Sequence, residues 1–405
     1  MTLQKRPIRV GIISPCPPPY GGVTRYVGNH LAHWDSGDVS AHFLPITLPQ
    51  TPEVFDGAVF HNLQKDGQDR SWRGVTSYAA VLARAPVTRP SAIRRFVRYN
   101  RALEAHVRRE QLDVIYAHGV WPAGASAVLQ SRISGVKSVV VAYGETFGTT
   151  SQHRRWKRMS KYVCNGANHV VATSEHCLRG ATVMGAQPDR SSVVYAGVNL
   201  NEFKPGLDGS SWRARLGIPT TAVVITVLGL VLRRKLDEFL SAVSSIESSN
   251  EVVCVIAGRG PDESYVRERM GQLDGPRIVL PGFIPDDDLP EFYAATDVLV
   301  VSQNSELECM GQSMKEAMAC GRAVVGAAIG GVPEAITHGV DGVLYESGEP
   351  KSLARALSMI VDDPQQRDRL GLAARSNAVS RFEARVSANK TLDIFRSVVG
   401  TPEID

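Results

Sequence analysis

The 405 residues are too many for one ordinary hydrophobic core and suit two α/β domains of roughly 200 residues each. With 43% apolar and 21% charged residues, 36 glycines and 23 prolines, the composition excludes a disordered chain or a coiled coil and describes a globular protein with many short loops. The net charge of +4 conceals an asymmetry, because residues 1–200 hold 24 Lys and Arg against 12 Asp and Glu, and residues 201–405 hold 21 against 29.

The chain opens with a basic segment and an apolar run of only about six residues, shorter than a signal-peptide core or a membrane span, so a cytoplasmic protein is expected. The first strand, VGII at 10–13, leads to Gly21 and Gly22 and then to a helix with Val27, Leu31 and Trp34 on one face. Glycines at a helix start let backbone amides approach an anion closely, and the helix dipole favours the negative charge. The stretch does not fit the dinucleotide pattern GxGxxG, and neither does AGRGPDE at 257–263. Residues 50–90 are polar and poorly periodic, and 91–110 read as a basic amphipathic helix with Ile93, Val97, Leu103 and Val107 on a shared face.

Short β-branched runs then follow at DVIYAH (113–118), SVVVAY (138–143), HVVATS (169–174) and SVVYAG (192–197), as expected of buried parallel strands. Between them HRRWKRMSKY, at 153–162, sets Trp156, Met159 and Tyr162 beside a basic face, which suits a membrane interface, an acidic acceptor or plain packing. The basic first half as a whole fits a lipid headgroup, a phosphorylated acceptor or a nucleic acid, or else a solvated face. It carries no groove-reading module, so a nucleic-acid partner is not expected.

A Gly-, Pro-, Asn- and Asp-rich stretch at 197–217 reads as a linker, and the domain boundary is placed near residue 205. The strand rhythm restarts with AVVITVLG (222–229), VVCVIAG (252–258), RIVLPG (277–282), DVLVVS (297–302), RAVVGA (322–327) and GVLYE (342–346), which predicts a second parallel sheet. The expected division is 1–204, 205–382 and a last helix in 383–405 whose Val386, Ala388, Leu392, Ile394, Phe395 and Val398 cross back to the first domain.

Asp286, Asp287 and Asp288 follow a proline and begin a short helix, where acids complement the dipole, so no metal is expected there. The six cysteines show no CxxC pair and no neighbouring histidine at metal-ligand spacing, so neither a zinc motif nor a disulfide framework is indicated.

The sharpest segment is ELECMGQSMKEAMACGRAVVGAAIGGVPEAITHGVDGVLYE at 306–346. Glu308 precedes a helix that begins at Gln312, and Glu316 lies one turn into it, so both carboxylates can face one site at the strand ends. Acceptor-only groups suit sugar hydroxyls, which must be hydrogen-bonded when buried.

The Glu308–Glu316 spacing, the EAMA-x-G run and the GG-x-PE continuation together resemble the signature of the family 4 retaining nucleotide-sugar glycosyltransferases. The likeness extends to the glycine pair near the N-terminus, DVIYAH, VNLNEFKP, GPDESYVRE, PGFIPDDDL and FYAATDVLVVS, and is weakest at about 45–100. It implies the GT-B fold, an α/β architecture of two facing Rossmann-like domains with parallel sheets and an interdomain cleft. The implied activity is transfer of a sugar from a nucleotide diphosphate sugar, a UDP-sugar by preference, to an acceptor hydroxyl. Transfer would keep the anomeric configuration by a front-face mechanism and serve carbohydrate or natural-product biosynthesis. No cofactor or metal is implied. The acceptor, whether a small molecule, a glycan or a lipid-linked sugar, is not identified; separately, the basic first half leaves open peripheral contact with the inner membrane face.

Carried over by position, the resemblance implies that Glu308 holds the donor sugar, that Glu316 holds the ribose, and that amides at Gly311, Gln312 and Ser313 support sugar and phosphate. It places His118 near the reacting carbon, and Gly21 and Gly22 at the phosphates. The segment VLGLVLRRKLDEFL, at 227–240, resembles the element whose Arg and Lys neutralise the diphosphate. Gly229 and Lys235 match it, whereas Leu230 and Leu236 replace arginine and glycine, leaving Arg233 or Arg234 to supply the missing cation. Tyr143 stands where the family has a histidine. The departures leave open a non-catalytic nucleotide-sugar-binding scaffold, or another GT-B enzyme such as a sugar phosphorylase or an epimerase.

Overall fold

The computed structural model describes residues 6–14, 21–46, 57–63, 74–146, 153–229, 232–307 and 309–400, with 233–235 described in their backbone alone. Two compact units result: Met1–Gly197 together with Ala384–Asp405, and Val198–Glu383.

In the first unit the strands are β1 (Ile8–Ile13), β2 (Val39–Phe43), β3 (Ala58–Phe60), β4 (Val114–His118), β5 (Lys137–Ala142), β6 (His169–Ala172) and β7 (Ser191–Val193). They form one parallel sheet in the order β3-β2-β1-β4-β5-β6-β7. The order reverses between β1 and β4, and in open α/β sheets ligands settle outside the carboxyl ends of the strands at such a reversal. Because helices cover both faces, the central strands are apolar throughout, as in Val114–His118, where every residue is buried.

The basic helix Pro90–Arg109 buries Phe96, Tyr99, Asn100, Leu103 and Val107, a stripe rotated from the expected one because Phe96 and Tyr99 replace Ile93 and Val97 at its centre. Tyr99 donates to the Leu44 carbonyl at 2.8 Å and Asn100 donates to Ser126 at 3.0 Å, so both polar groups at the centre of the rotated face find partners inside the core. Helix Arg154–Gly166 turns Met159, Tyr162 and Val163 inward, with Arg132 over the Tyr162 ring at 4.5 Å. Its apolar side is therefore spent on packing.

The last helix, Ala384–Val399, belongs to the first unit. It buries Ala384, Ser387, Ala388, Thr391, Leu392 and Phe395, while Val386 is exposed. Phe395 packs on Trp34 and Tyr116, Trp34 donates to the Ala388 carbonyl at 3.0 Å, and His30 bonds Ser387 at 3.0 Å.

The second unit holds β8 (Val223–Leu228), β9 (Val252–Ala257), β10 (Arg277–Gly282), β11 (Val298–Val301), β12 (Ala323–Ala327) and β13 (Val343–Tyr345), parallel and ordered β10-β9-β8-β11-β12-β13. Its reversal lies between β8 and β11. There Gly258 has φ +128, and a Cβ would meet the Gly229 carbonyl oxygen at 1.8 Å, so the ends of β8 and β9 approach more closely than a side chain allows.

The units divide at Gly197 and Val198, earlier than residue 205. Val198 donates to the Phe382 carbonyl at 2.7 Å, Phe203 is fully buried, and Arg375 donates to the Phe203 carbonyl at 2.8 Å. The linker-like composition thus belongs to a loop docked on the second unit.

Candidate active site

Each unit places chemistry-bearing side chains at its own reversal point. In the second unit, β11 runs through residues 302–307 to Gly311, whose φ of +71 starts helix Gln312–Ala319. A left-handed residue there turns the chain sharply enough to aim the first-turn amides of Gln312 and Ser313 outward from the helix, as an anion or oxygen ligand requires. Glu316 follows one turn later and is only 2% exposed. Its Oε2 accepts a hydrogen bond of 2.8 Å from the Tyr293 hydroxyl, and Tyr293 is itself fully buried in helix Leu289–Ala294. A carboxylate has further acceptor sites beyond one such bond, so Tyr293 fixes the group without exhausting it. Glu308 lies outside the described residues.

Lys315, beside Glu316, is also buried, and burial pushes its ammonium down to about 7 while the Glu316 charge acts in the opposite direction. Its Nζ lies 5.9 Å from the centre of the Phe382 ring. A lysine among Met314, Ala317 and Met318 is the sequence signal for a buried ammonium at this position.

Across the same reversal, β8 ends before Gly229, and Arg233, Arg234 and Lys235 form the first turn of helix Arg233–Val243. Leu230 and the side chains of those three residues lie outside the described residues. Leu236, where the resemblance expects glycine, is buried in the second core, so the position serves packing. Glu238 anchors this helix by accepting from the Gly348 amide at 2.9 Å, and burial raises its carboxyl above the usual range. Asp286, Asp287 and Asp288 form a single helical turn ahead of Leu289–Ala294.

In the first unit, Gly21 begins helix Gly21–Leu31 with φ +68, and Gly22 follows in its first turn. His118 closes β4 on the other side of that unit's reversal and is 5% exposed. It packs against the Tyr26 and Tyr116 rings at 5.7 and 4.5 Å. Its Nδ1 lies 2.8 Å from the Tyr143 hydroxyl, in a hydrogen bond whose donor depends on the tautomer. Its Nε2 has no hydrogen-bond partner among the described residues. Burial pushes the imidazole down to about 3, so it is neutral at any ordinary pH and acts as a hydrogen-bonding group, not as a cation. Tyr143, a departure from the family pattern, thus orients His118. Two residues on, Glu145 accepts from the Val120 amide at 3.0 Å, and burial raises its carboxyl to about 7. An acid beside a glycine in the turn just after β5 is the pattern that marks it in the sequence.

Comparisons with known proteins agree with this division. A family profile described as "Glycosyltransferase Family 4" matches residues 20–202, and one described as "Glycosyl transferases group 1" matches 209–377. A D-inositol 3-phosphate glycosyltransferase of Streptosporangium roseum is 35% identical over 52% of this chain and 50% of the relative. With 57% of the Thermobifida fusca relative covered, the chain spans about half the length of these curated relatives. An alpha-maltose-1-phosphate synthase of Mycolicibacterium smegmatis is 26% identical over 87% of this chain and 98% of the relative.

Among solved structures, the sucrose-phosphate synthase of Thermosynechococcus elongatus has a TM-score of 0.75 at 20% identity, over 96% of this chain and 99% of the other. Anabaena HepE in complex with UDP-glucose has a TM-score of 0.74 at 20% identity, with the same coverage. At such identity the likeness is one of fold. Among the described residues, no helix is long and apolar enough to cross a membrane.

Proposed function

The chain belongs to glycosyltransferase family 4 and has the GT-B fold, and from that premise we propose that it transfers a sugar from a UDP-sugar to an acceptor hydroxyl with retention of configuration. The observation that carries this reading is Glu316, buried beside the β8–β11 reversal and fixed by Tyr293. A buried, oriented acceptor at that position suits the vicinal hydroxyls of a ribose.

In this reading Glu308 holds the donor sugar's hydroxyls, and the amides of Gly311, Gln312 and Ser313 support sugar and phosphate. Lys235, with Arg233 or Arg234 in place of the arginine lost at Leu230, neutralises the diphosphate. The amides of Gly21 and Gly22 add donors, and neutral His118 positions the reacting sugar by hydrogen bonding. The bond from the anomeric carbon to the leaving phosphate oxygen breaks while the acceptor oxygen bonds that carbon on the same face. The leaving oxygen takes the acceptor proton, so the protein contributes orientation and charge stabilisation and no cofactor or metal enters the step.

The acceptor we favour is a phosphorylated polyol or sugar. The names of the relatives from Streptosporangium roseum and Thermobifida fusca contain inositol 3-phosphate, and the basic first half of this chain favours an anionic substrate. A cytoplasmic location is part of the same reading.

The test incubates the protein with UDP-sugars and a panel of phosphorylated and unphosphorylated polyols, and the product's anomeric configuration is read by NMR. An α-linked product on a phosphorylated acceptor is expected. A β-linked product contradicts retention. Tight donor binding without hydrolysis or transfer on any acceptor favours a non-catalytic scaffold, the alternative that Leu230 motivates.

A further inference from the structure

Three histidines that play no part in the proposed transfer converge at the β3 edge of the first sheet. His42 lies on β2, His61 immediately follows β3, and His106 lies in the last turns of helix Pro90–Arg109. Alternation along β2 turns Ala41 and Phe43 to one face and His42 to the other, where that helix packs. One ring nitrogen from each histidine lies within 4.8 Å of the other two. His42 and His106 are buried and His61 is partly exposed, so the cluster has an access side.

We propose that His42, His61 and His106 form a binding site for a zinc-class divalent cation that ties the edge of the first sheet to helix Pro90–Arg109. Zinc holds imidazole nitrogens at about 2.0–2.1 Å, which in a tetrahedron sets ligand nitrogens about 3.3 Å apart. Nδ1 of His42 and Nε2 of His61 are already 3.0 Å apart. Small ring movements bring in the third nitrogen, and three imidazoles select zinc, copper or nickel over magnesium or calcium.

Nδ1 of His106 accepts from Arg109 Nη2 at 3.0 Å, whereas its Nε2 is buried with no hydrogen-bond partner among the described residues. Nε2 is therefore the nitrogen left for the ion. Ligation there puts the proton on Nδ1, so Arg109 gives up that contact while its Nε keeps the Glu110 Oε1 at 2.9 Å. Nε2 of His42 lies 3.4 Å from Ser40 Oγ, the kind of outer partner that orients a metal-bound imidazole. Arg9 and Arg109 oppose a cation here, and Glu110 offsets them.

The test uses the full chain without a histidine tag, stripped with a chelator, and titrates Zn2+ against a chromophoric competitor. One equivalent per chain is expected, with a rise in Tm, and Co2+ in its place should give the intense visible bands of four-coordinate cobalt. His61→Gln, at the partly exposed ring, should weaken binding by more than the roughly 10–100-fold that loss of an outer partner costs. His42→Gln should do the same. Absence of stoichiometric Zn2+ binding to the wild type overturns the site, as does unchanged affinity in both variants when their circular dichroism shows them folded.

Discussion

Tyr293→Phe is the sharpest perturbation of the candidate donor site, because it deletes one oxygen and leaves the buried ring in place. That oxygen donates to Glu316 Oε2 at 2.8 Å, and both side chains are almost wholly excluded from solvent. A hydrogen bond to a charged group contributes about 1.5–3 kcal/mol, and the variant should lose stability in that range. In a Glu316→Ala background the hydroxyl has already lost this acceptor, so the same substitution should cost clearly less. The coupling energy of the cycle is that difference. Urea unfolding at pH 8, followed by tryptophan fluorescence, measures it, and Trp212 reports locally because its ring lies 5.3 Å from that of Phe292. Additive losses, with coupling below about 0.5 kcal/mol, would refute the idea that Tyr293 holds the carboxylate in position.

Glu145→Gln keeps an acceptor for the Val120 amide and removes a buried charge. The folded carboxyl is raised from near 4.5 to about 7, so the wild type is unpenalised below pH 4.5 and loses stability as pH rises through 7. The variant's advantage in Tm should be near zero at pH 4.5 and reach a plateau above pH 7.5, worth up to roughly 3 kcal/mol; a pH-independent difference contradicts it. Phe395→Ala empties a fully buried site between Trp34 and Tyr116 and should cost about 3–5 kcal/mol in chemical unfolding of the first unit, whereas a loss under 1 kcal/mol would mean that the last helix is not a structural clamp. His118, pushed down to about 3, should show no imidazolium signal in an NMR titration between pH 8 and 5, and a midpoint near 6.5 would contradict its burial.

The sheets were legible wherever strands are buried on both faces, since a run such as Val252–Ala257 must then be apolar at every position. β2 and β3 were not, because VSAHF mixes Ser40 and His42 into five residues and AVF has only three. The boundary was read near 205, whereas the compact units divide at Gly197 and Val198, because composition marks the loop after Val198 as irregular but does not show that Phe203 anchors it. Glu316 could be placed because its spacing from Gly311 fixes its turn of the helix. Its partner Tyr293 could not, since that contact depends on how two helices pack. Tyr143 read as a defect in the pattern, yet its hydroxyl is the group that orients His118. The three histidines share no sequence spacing at all, and only the pairing of β2 with β3 under helix Pro90–Arg109 brings them together.

A thermal-shift screen of UDP- and GDP-sugars on the wild type and on Glu316→Ala tests the central claim most directly. A ligand at 100 times its dissociation constant adds about 2.7 kcal/mol of stability. The account predicts a clear rise in Tm with a UDP-sugar that is lost in the variant; an equal rise in both proteins, or none with any nucleotide sugar, would contradict it.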